Sequence, residues 1–331
     1  MHITFFCPID LGNDVANNNQ QLLSGLLTTG KNHIVNQAMP ELICQQFGVE
    51  ANPDHPIAAL SGEFDNSIST KYYLQADPVH LVLQRDAFAL SDLSTLAITK
   101  AELLALSELL NQHFMADGLF FKVNNERLLL GLIAVPRIST TLPEKVIGRN
   151  IYDYLPQGAD ASYWNKIVNE MQMLLHEHPF NQRREALGFP IINSIWLSGG
   201  GFLPATTMSP FNRVFSDVSY VQRLAQLAGV SIQKLPSDRH IELNQDQVLV
   251  VTQSNTDIYV WIDILYELIN KGATLQLNLA HQDVVLVSEI RPGSVYKLWL
   301  YKLLRKKKPV ISHFHDCYTK MQNKINARTK F

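Results

Sequence analysis

The residues best placed for chemistry are Ser198, Gly199, Gly200 and Gly201, which follow the apolar run Ile191 to Leu197 and lead into Phe202-Leu203-Pro204. Glycines directly behind a strand let backbone N–H groups approach an anion, or let the chain turn sharply. In α/β sheets, ligands sit at the carboxyl ends of strands. The segment lacks both the Gly-x-Gly-x-x-Gly spacing of a dinucleotide site and the Gly-Lys-Ser/Thr ending of a P-loop. Its glycines are therefore read as a loop that either binds a ligand or only turns the chain.

A second concentration of polar groups runs from Asn169 to Asn181. Asn169, Gln172 and His176 recur at helical spacing and share a face. Such a stripe either reads a ligand or forms a hydrogen-bond network that fixes a helix on a sheet, and the network is the preferred reading. His176 and His178 lie two apart on the expected helix, so they diverge and cannot chelate one ion together. Asp77 and His80 form a further polar pair. Asp54-His55, Asp238 with His240, and His313-Phe314-His315-Asp316-Cys317 show metal-ligand residue types. Only the last is dense, and it lies among basic residues that repel cations. No Gly-x-Ser-x-Gly signature supports a nucleophilic triad. The candidate ligand-binding set is thus Asp77, His80, Asn169, Gln172, His176, Asn181 and Ser198 to Gly201, with no catalytic residue, metal or cofactor assigned.

Two blocks of elements must position these residues. Ile3 to Phe6 reads as a strand, and Leu22, Leu23, Leu26 and Leu27 as a helix face, followed by a second helix near Glu41 to Phe47. Tyr72 to Ala76 and Val79 to Leu83 read as two strands flanking Asp77-Pro78. Thr99 with Glu102 forms a capping box that opens a helix carrying Leu103, Leu106, Leu110 and Phe114. Asp117-Gly118 stops it, and Leu119 to Val123 and Arg127 to Ile133 follow as paired strands. Pro136 to Pro156, rich in Pro, Thr and Gly, is the expected domain boundary. Beyond it, Tyr163 to His178 reads as a helix ended by Pro179. Strands and helices then alternate: a helix over Val218 to Ala228, a strand over Val248 to Thr252, a helix over Tyr259 to Asn270, and a last hairpin from Ala273 to Val287. The expected fold is α/β, with a mixed, partly parallel sheet in the C-terminal half and a smaller α+β N-terminal part. The expected domains are 1–140, 141–310 with the glycine loop, and a basic tail over 311–331.

Composition bounds the function classes. With 46% hydrophobic and 18% charged residues, the 331-residue chain is globular in type. Cys7, Cys44 and Cys317 are odd in number and widely spaced, which argues against a disulfide framework or a zinc ribbon. No basic n-region opens the chain, and no apolar run reaches the roughly 18 to 20 residues that span a bilayer, so a cytoplasmic location without membrane contact is expected. Net charge is −2, yet residues 302–331 hold nine Lys or Arg against one acid, Asp316. A basic segment on an acidic body is a candidate contact for nucleic acid or another anionic partner.

Three blocks, Gln75 to Leu81, Asn169 to Asn181, and Asn193 to Gly201, together resemble a bacterial family of RpfE-type regulatory proteins. That family is also described as cofactor-independent phosphoglycerate-mutase-like, within the alkaline-phosphatase superfamily. The resemblance covers most of residues 70 to 305. It implies an α/β fold related to enzymes that use two divalent metals and a Ser or Thr nucleophile, with Asp and His ligands spread along the chain. Here Asp10-Leu11-Gly12 is the nearest approach to an early Asp-Gly, and no Asp-His pair follows a late strand. The expectation is a non-catalytic regulatory or binding protein whose partner is a protein or a small anionic ligand. The alternatives are a metal-dependent phosphate-ester enzyme of phosphoglycerate-mutase type, or a nucleic-acid-associated factor acting through the basic tail.

Overall fold

The computed structural model describes residues 1–9, 18–62, 70–85, 87–176, 178–235, 246–254, 257–293, 312–313, 315–317 and 319–320. In chain order the elements begin with β1 (His2–Pro8), α1 (Asn18–Thr29), β2 (Lys31–Val35), α2 (Met39–Gln46) and α3 (Ile57–Ser61). They continue with β3 (Tyr72–Val79), β4 (Leu81–Gln84), β5 (Ala87–Leu90), α4 (Lys100–Phe114), β6 (Leu119–Asn124), β7 (Arg127–Leu132), α5 (Ala161–His176), α6 (Pro179–Ala186) and β8 (Ser194–Gly201). The last are β9 (Arg213–Ser216), α7 (Ser219–Leu227), β10 (Ser231–Gln233), β11 (Gln247–Val251), α8 (Asp257–Asn270), β12 (Thr274–His281) and β13 (Val284–Ile290).

The chain forms two compact units, residues 1–48 with 206–331 and residues 49–205. In unit 1 the seven-stranded sheet has the order β10-β9-β11-β1-β12-β13-β2. The run from β10 to β12 is parallel, and β13 and β2 join antiparallel. The mixed, partly parallel α/β architecture expected for the C-terminal half is present, and β1 from the chain's start lies at its centre. Ile3 and Phe5 of β1 pack with Leu26 and Leu27 of α1, Ile262 and Leu265 of α8, and Leu275 and Leu277 of β12. A run such as Ile3 to Cys7, buried throughout and apolar except for Thr4, suits a strand covered on both faces.

Unit 2 is built on an antiparallel sheet of order β6-β7-β3-β8, with β4 and β5 forming a separate ribbon. Tyr72, Leu74 and Ala76 of β3 share a core with Leu103, Leu106 and Leu110 of α4 and Ile167 and Met171 of α5. The capping box at Thr99 is formed: its Oγ1 accepts from Glu102 N–H, and its N–H donates to Glu102 Oε2 at 2.8 Å.

Several expectations are corrected. Asp77-Pro78 does not separate two strands: β3 runs through it, pairing Asp77 with Trp196 and Pro78 with Ile195. The β7 ladder ends at Gln75, so the missing N–H of Pro78 breaks no rung on that side. Residues 136–156 are not a boundary. Ile138 belongs to the main core of unit 2, and Val146 and Ile151 pack with Val79 and Trp196. The division falls at 48/49 and 205/206 instead, because unit 2 is inserted between strands that pair with one another. Helix α5 ends at His176, and Pro179 opens α6, whose N-cap is His178. The basic region after residue 301 lies mostly outside the described residues. Within it, Cys317 is buried in the core of unit 1, and His313 Nε2 lies 3.5 Å from Thr28 Oγ1.

Candidate functional site

The glycines do not form a loop. Ser198 to Gly201 are the second half of β8, and all of them are buried. Tyr73 pairs with Gly201 and Gln75 with Ser198, so β8 carries one residue more than β3 between these rungs. Gly199 takes up the extra residue at φ +60°, a β-bulge conformation that glycine adopts without strain. At Gly200 a Cβ would lie 2.5 Å from Tyr72 Oη, and at Gly201 2.5 Å from Pro56 Cβ. The triplet is therefore required by close approach of β3 and of the segment leading into α3. An anion has no loop to enter there.

Alternation along β3 sends Tyr72, Leu74 and Ala76 to the helices and Tyr73, Gln75 and Asp77 to the opposite face. On that face Ser198 Oγ donates to Gln75 Oε1 at 3.3 Å. Asp77, 7% exposed, lies with Oδ1 4.0 Å from Arg127 Nη1, while its buried Oδ2 has no hydrogen-bond partner among the described residues. Burial pushes the Asp77 carboxyl up to about 6, Arg127 opposes the rise, and Glu144 adds to it. The segment from Arg137 onward is tied to the unit by a backbone pair between Ser139 and Gln157 and by side-chain contacts. Thr140 donates its N–H and hydroxyl to Asp54, Trp196 Nε1–H donates to Thr141 O at 2.8 Å, and Arg137 pairs with Asp160 at the surface.

The other sequence candidates lie elsewhere in unit 2. Asn169 and His176 are exposed on α5, and Gln172 Nε2–H donates to Ser194 Oγ at 3.1 Å. Gln172 and Ser194 also line a cavity of about 20 Å³ walled by Leu81, Val168 and Trp196. That volume suits one water molecule. Buried Asn181 donates to Leu175 O and Ile192 O and accepts from Ile192 N–H. His80 Nδ1 lies 2.9 Å from Ile191 O, in donor position. These side chains do not converge on one cleft with Asp77 and the glycines.

Two further asparagines, which the sequence did not single out, act like Asn181. Asn111 of α4 accepts from Phe121 N–H and donates to Phe121 O, and Asn193 does the same for Leu81. Each primary amide substitutes for a neighbouring strand. The weak local signal was an Asn on an otherwise apolar helix face.

In unit 1, the carboxyl ends of β1, β9 and β11 carry a set of small polar groups. Ser216 Oγ donates to Val251 O, Thr252 Oγ1 lies 3.4 Å from Phe6 O, and Cys7 Sγ lies 3.5 Å from Ser254 O. This is the sheet edge where α/β folds bind ligands. Among the described residues no three His, Cys, Asp or Glu side chains come together as metal donors. Asp54 is engaged by Thr140, and His313 and Cys317 are buried while His315 is exposed. Asp238, His240 and Asp10 lie outside the described residues.

Comparison with known proteins places one stretch of unit 2. Residues 78–181 match the family model for 2,3-bisphosphoglycerate-independent phosphoglycerate mutase. Over this stretch the chain is phosphoglycerate-mutase-like. The mutase of Methanothrix thermoacetophila is 40% identical over 75 residues, which are 23% of this chain and 19% of that protein. A probable mutase of Geobacter sulfurreducens is 31% identical over 112 residues, 32% of this chain and 26% of that protein. The matched stretches thus span about a fifth to a quarter of these relatives. The cofactor-independent phosphoglycerate mutase of Thermoplasma acidophilum aligns over 88% of this chain and 90% of its own, at 16% identity and a TM-score of 0.37. Among the described residues no helix is long and apolar enough to cross a membrane.

Proposed function

We propose that this protein is a phosphate-ester enzyme of phosphoglycerate-mutase type. The observation that carries the reading is the match of residues 78–181 to that family, repeated in several curated relatives of the same description. The carboxyl edge of the unit 1 sheet supports it as the place of binding, since Ser216, Thr252 and Ser254 gather there and α7 opens at that edge with no side-chain cap from Val218. First-turn N–H groups left in this way suit an oxyanion. The resemblance also implies two divalent ions. The donor sets among the described residues do not fit them, so no step through a metal is drawn. What this edge offers a phosphate is the first-turn N–H groups of α7, above a dry floor in which the buried hydroxyls of Ser216 and Thr252 are turned to Val251 O and Phe6 O.

The second reading is a non-catalytic binding protein, as the regulatory resemblance suggests. On that reading the binding surface would be the exposed Asn169 and His176 of α5, because Asn181, Gln172 and the glycines of β8 are engaged in the fold of unit 2. One experiment separates the two. Purified full-length protein is incubated with 3-phosphoglycerate and manganese, magnesium, zinc or cobalt in turn, and 2-phosphoglycerate is followed by phosphorus NMR. Interconversion is the expected result. A thermal shift on adding 3-phosphoglycerate, with no product under any metal, overturns the enzyme and selects the binding protein.

A further inference from the structure

The polar face of the unit 2 sheet holds a carboxylate whose surroundings suit its protonated form. Asp77 is buried, and Oδ2 is both enclosed and, among the described residues, without a hydrogen-bond partner. A buried ionised group without full pairing is costly, and the fold relieves that cost by protonation or by opening to water. The charged groups acting on Asp77 are Arg127, on the neighbouring strand, and Glu144, in the covering segment. Strand β8 and helix α3 bring no charged residue to it. Arg127 is half exposed, so water screens much of its attraction.

The covering segment is the element able to respond. Asp77 is the cross-strand partner of Trp196, and Trp196 holds Thr141 through its indole N–H. Glu144 and the 3-10 turn Pro143–Lys145 follow directly. The segment is held further by the Asp54–Thr140 contact, the Ser139–Gln157 backbone pair, the exposed Arg137–Asp160 pair and the buried side chains of Ile138, Leu142 and Val146, all of which the release has to break.

We propose that unit 2 contains a proton-operated latch, in which protonated Asp77 keeps residues 137–146 down on the sheet and ionised Asp77 releases them. Release would uncover Asp77, while α3 keeps its place over Gln75 and the glycines of β8. The inference does not depend on the phosphate-ester reading. Its sign follows from the direction of the shift. A carboxyl held up to about 6 in the covered form favours that form at low pH, and the advantage is lost as pH rises through about 6. With an open-state carboxyl near its ordinary value of about 4, the opening equilibrium is about 100-fold larger well above pH 6 than below pH 4, and about tenfold larger at pH 7.5 than at pH 5.

The test is hydrogen exchange of the 137–146 amides in the full chain at pH 5 and pH 7.5, corrected for intrinsic rates, with Trp196 emission taken as the difference from Trp196→Phe. Protection should fall at the higher pH in the native protein, with a midpoint near 6. Asp77→Asn should be protected at both pH values, and Glu144→Gln should move the midpoint down. A flat native profile, or the native pH dependence retained in Asp77→Asn, overturns the latch. Should Asp77→Asn not fold, an unmoved midpoint in Glu144→Gln overturns it equally.

Discussion

Arg184 offers the sharpest test of how unit 2 is held together. Its side chain is 2% exposed, yet it carries a full charge. Nε–H donates to Pro190 O at 2.8 Å, Nη1 to Glu102 Oε1 at 2.7 Å, and Nη2 to Leu96 O, while Phe189 lies against the guanidinium at 5.6 Å. One residue of α6 thus fastens the start of α4, the turn before it and the approach to β8. Removing it as Arg184→Ala leaves two carbonyls and a carboxylate oxygen without their donors. Each unsatisfied buried acceptor costs about 1–3 kcal/mol, and breaking a buried pair from one side costs about 3–5 kcal/mol. The loss expected in urea unfolding, followed by tryptophan emission, is therefore about 3–5 kcal/mol. Arg184→Lys, keeping the charge but one donor direction at most, should fall between. The pair also has a pH signature. Burial pushes Glu102 up, but the Thr99 N–H, the Arg184 guanidinium and the Thr99 hydroxyl together hold it below its ordinary value. A depressed carboxylate contributes stability above its unfolded value and loses it as pH falls through the folded one. Glu102→Gln should flatten that acid limb. A loss under about 1 kcal/mol in Arg184→Ala, the range of an exposed pair, would refute the reasoning.

Asn111→Ala removes both bonds to Phe121 on edge strand β6; a loss of about 1–3 kcal/mol in urea unfolding is expected, with concentration-dependent association by light scattering as the edge opens. The exposed neighbour Gln112→Ala should do neither. Gly200→Ala drives a Cβ against Tyr72 Oη and Leu74 Cδ2, and should cost about 1–3 kcal/mol. Tyr72→Phe, which deletes a hydroxyl that has no hydrogen-bond partner among the described residues, should recover part of that loss in the double variant. Additive effects in thermal melts would show that the two atoms do not meet.

What the sequence conveyed about this fold was local. The capping box at Thr99, the helix face of α4, the hairpin of β6 and β7 and the last pair of strands each rest on neighbouring residues, and all are present. What it concealed depends on distance along the chain. Strand β1 lies between β11 and β12, with His2 paired to Gln247 and to Thr274, so the domain division cannot be found from any stretch of composition. The glycines of β8 look like a loop because glycine signals a turn locally. Their actual cause, the approach of Tyr72 and Pro56, lies more than a hundred residues away. The stripe on α5 was rightly seen as polar, but only Gln172 among its members reaches the sheet. Asp77 was found for its pairing with His80, whereas the structure gives it Arg127 and Trp196 as neighbours.

The family match and the compact unit are different objects, and the difference bears on function. Residues 78–181 supply β6 and β7 of the four-stranded sheet, but almost none of β3 and nothing of β8. The core closes only when Tyr72, Leu74 and Ala76 come in from before the matched stretch and Ile195 and Leu197 from after it. A surface cannot hold a side chain in catalytic geometry unless the layer beneath it is complete. The matched stretch is therefore not a closed packing unit by itself. The sheet edge that α/β chemistry uses, at Cys7, Ser216 and Thr252, lies in unit 1, outside the matched residues altogether. The match accordingly says what residues 78–181 resemble, while the proposed phosphate chemistry stands or falls at the ends of β1, β9 and β11, which that match does not reach.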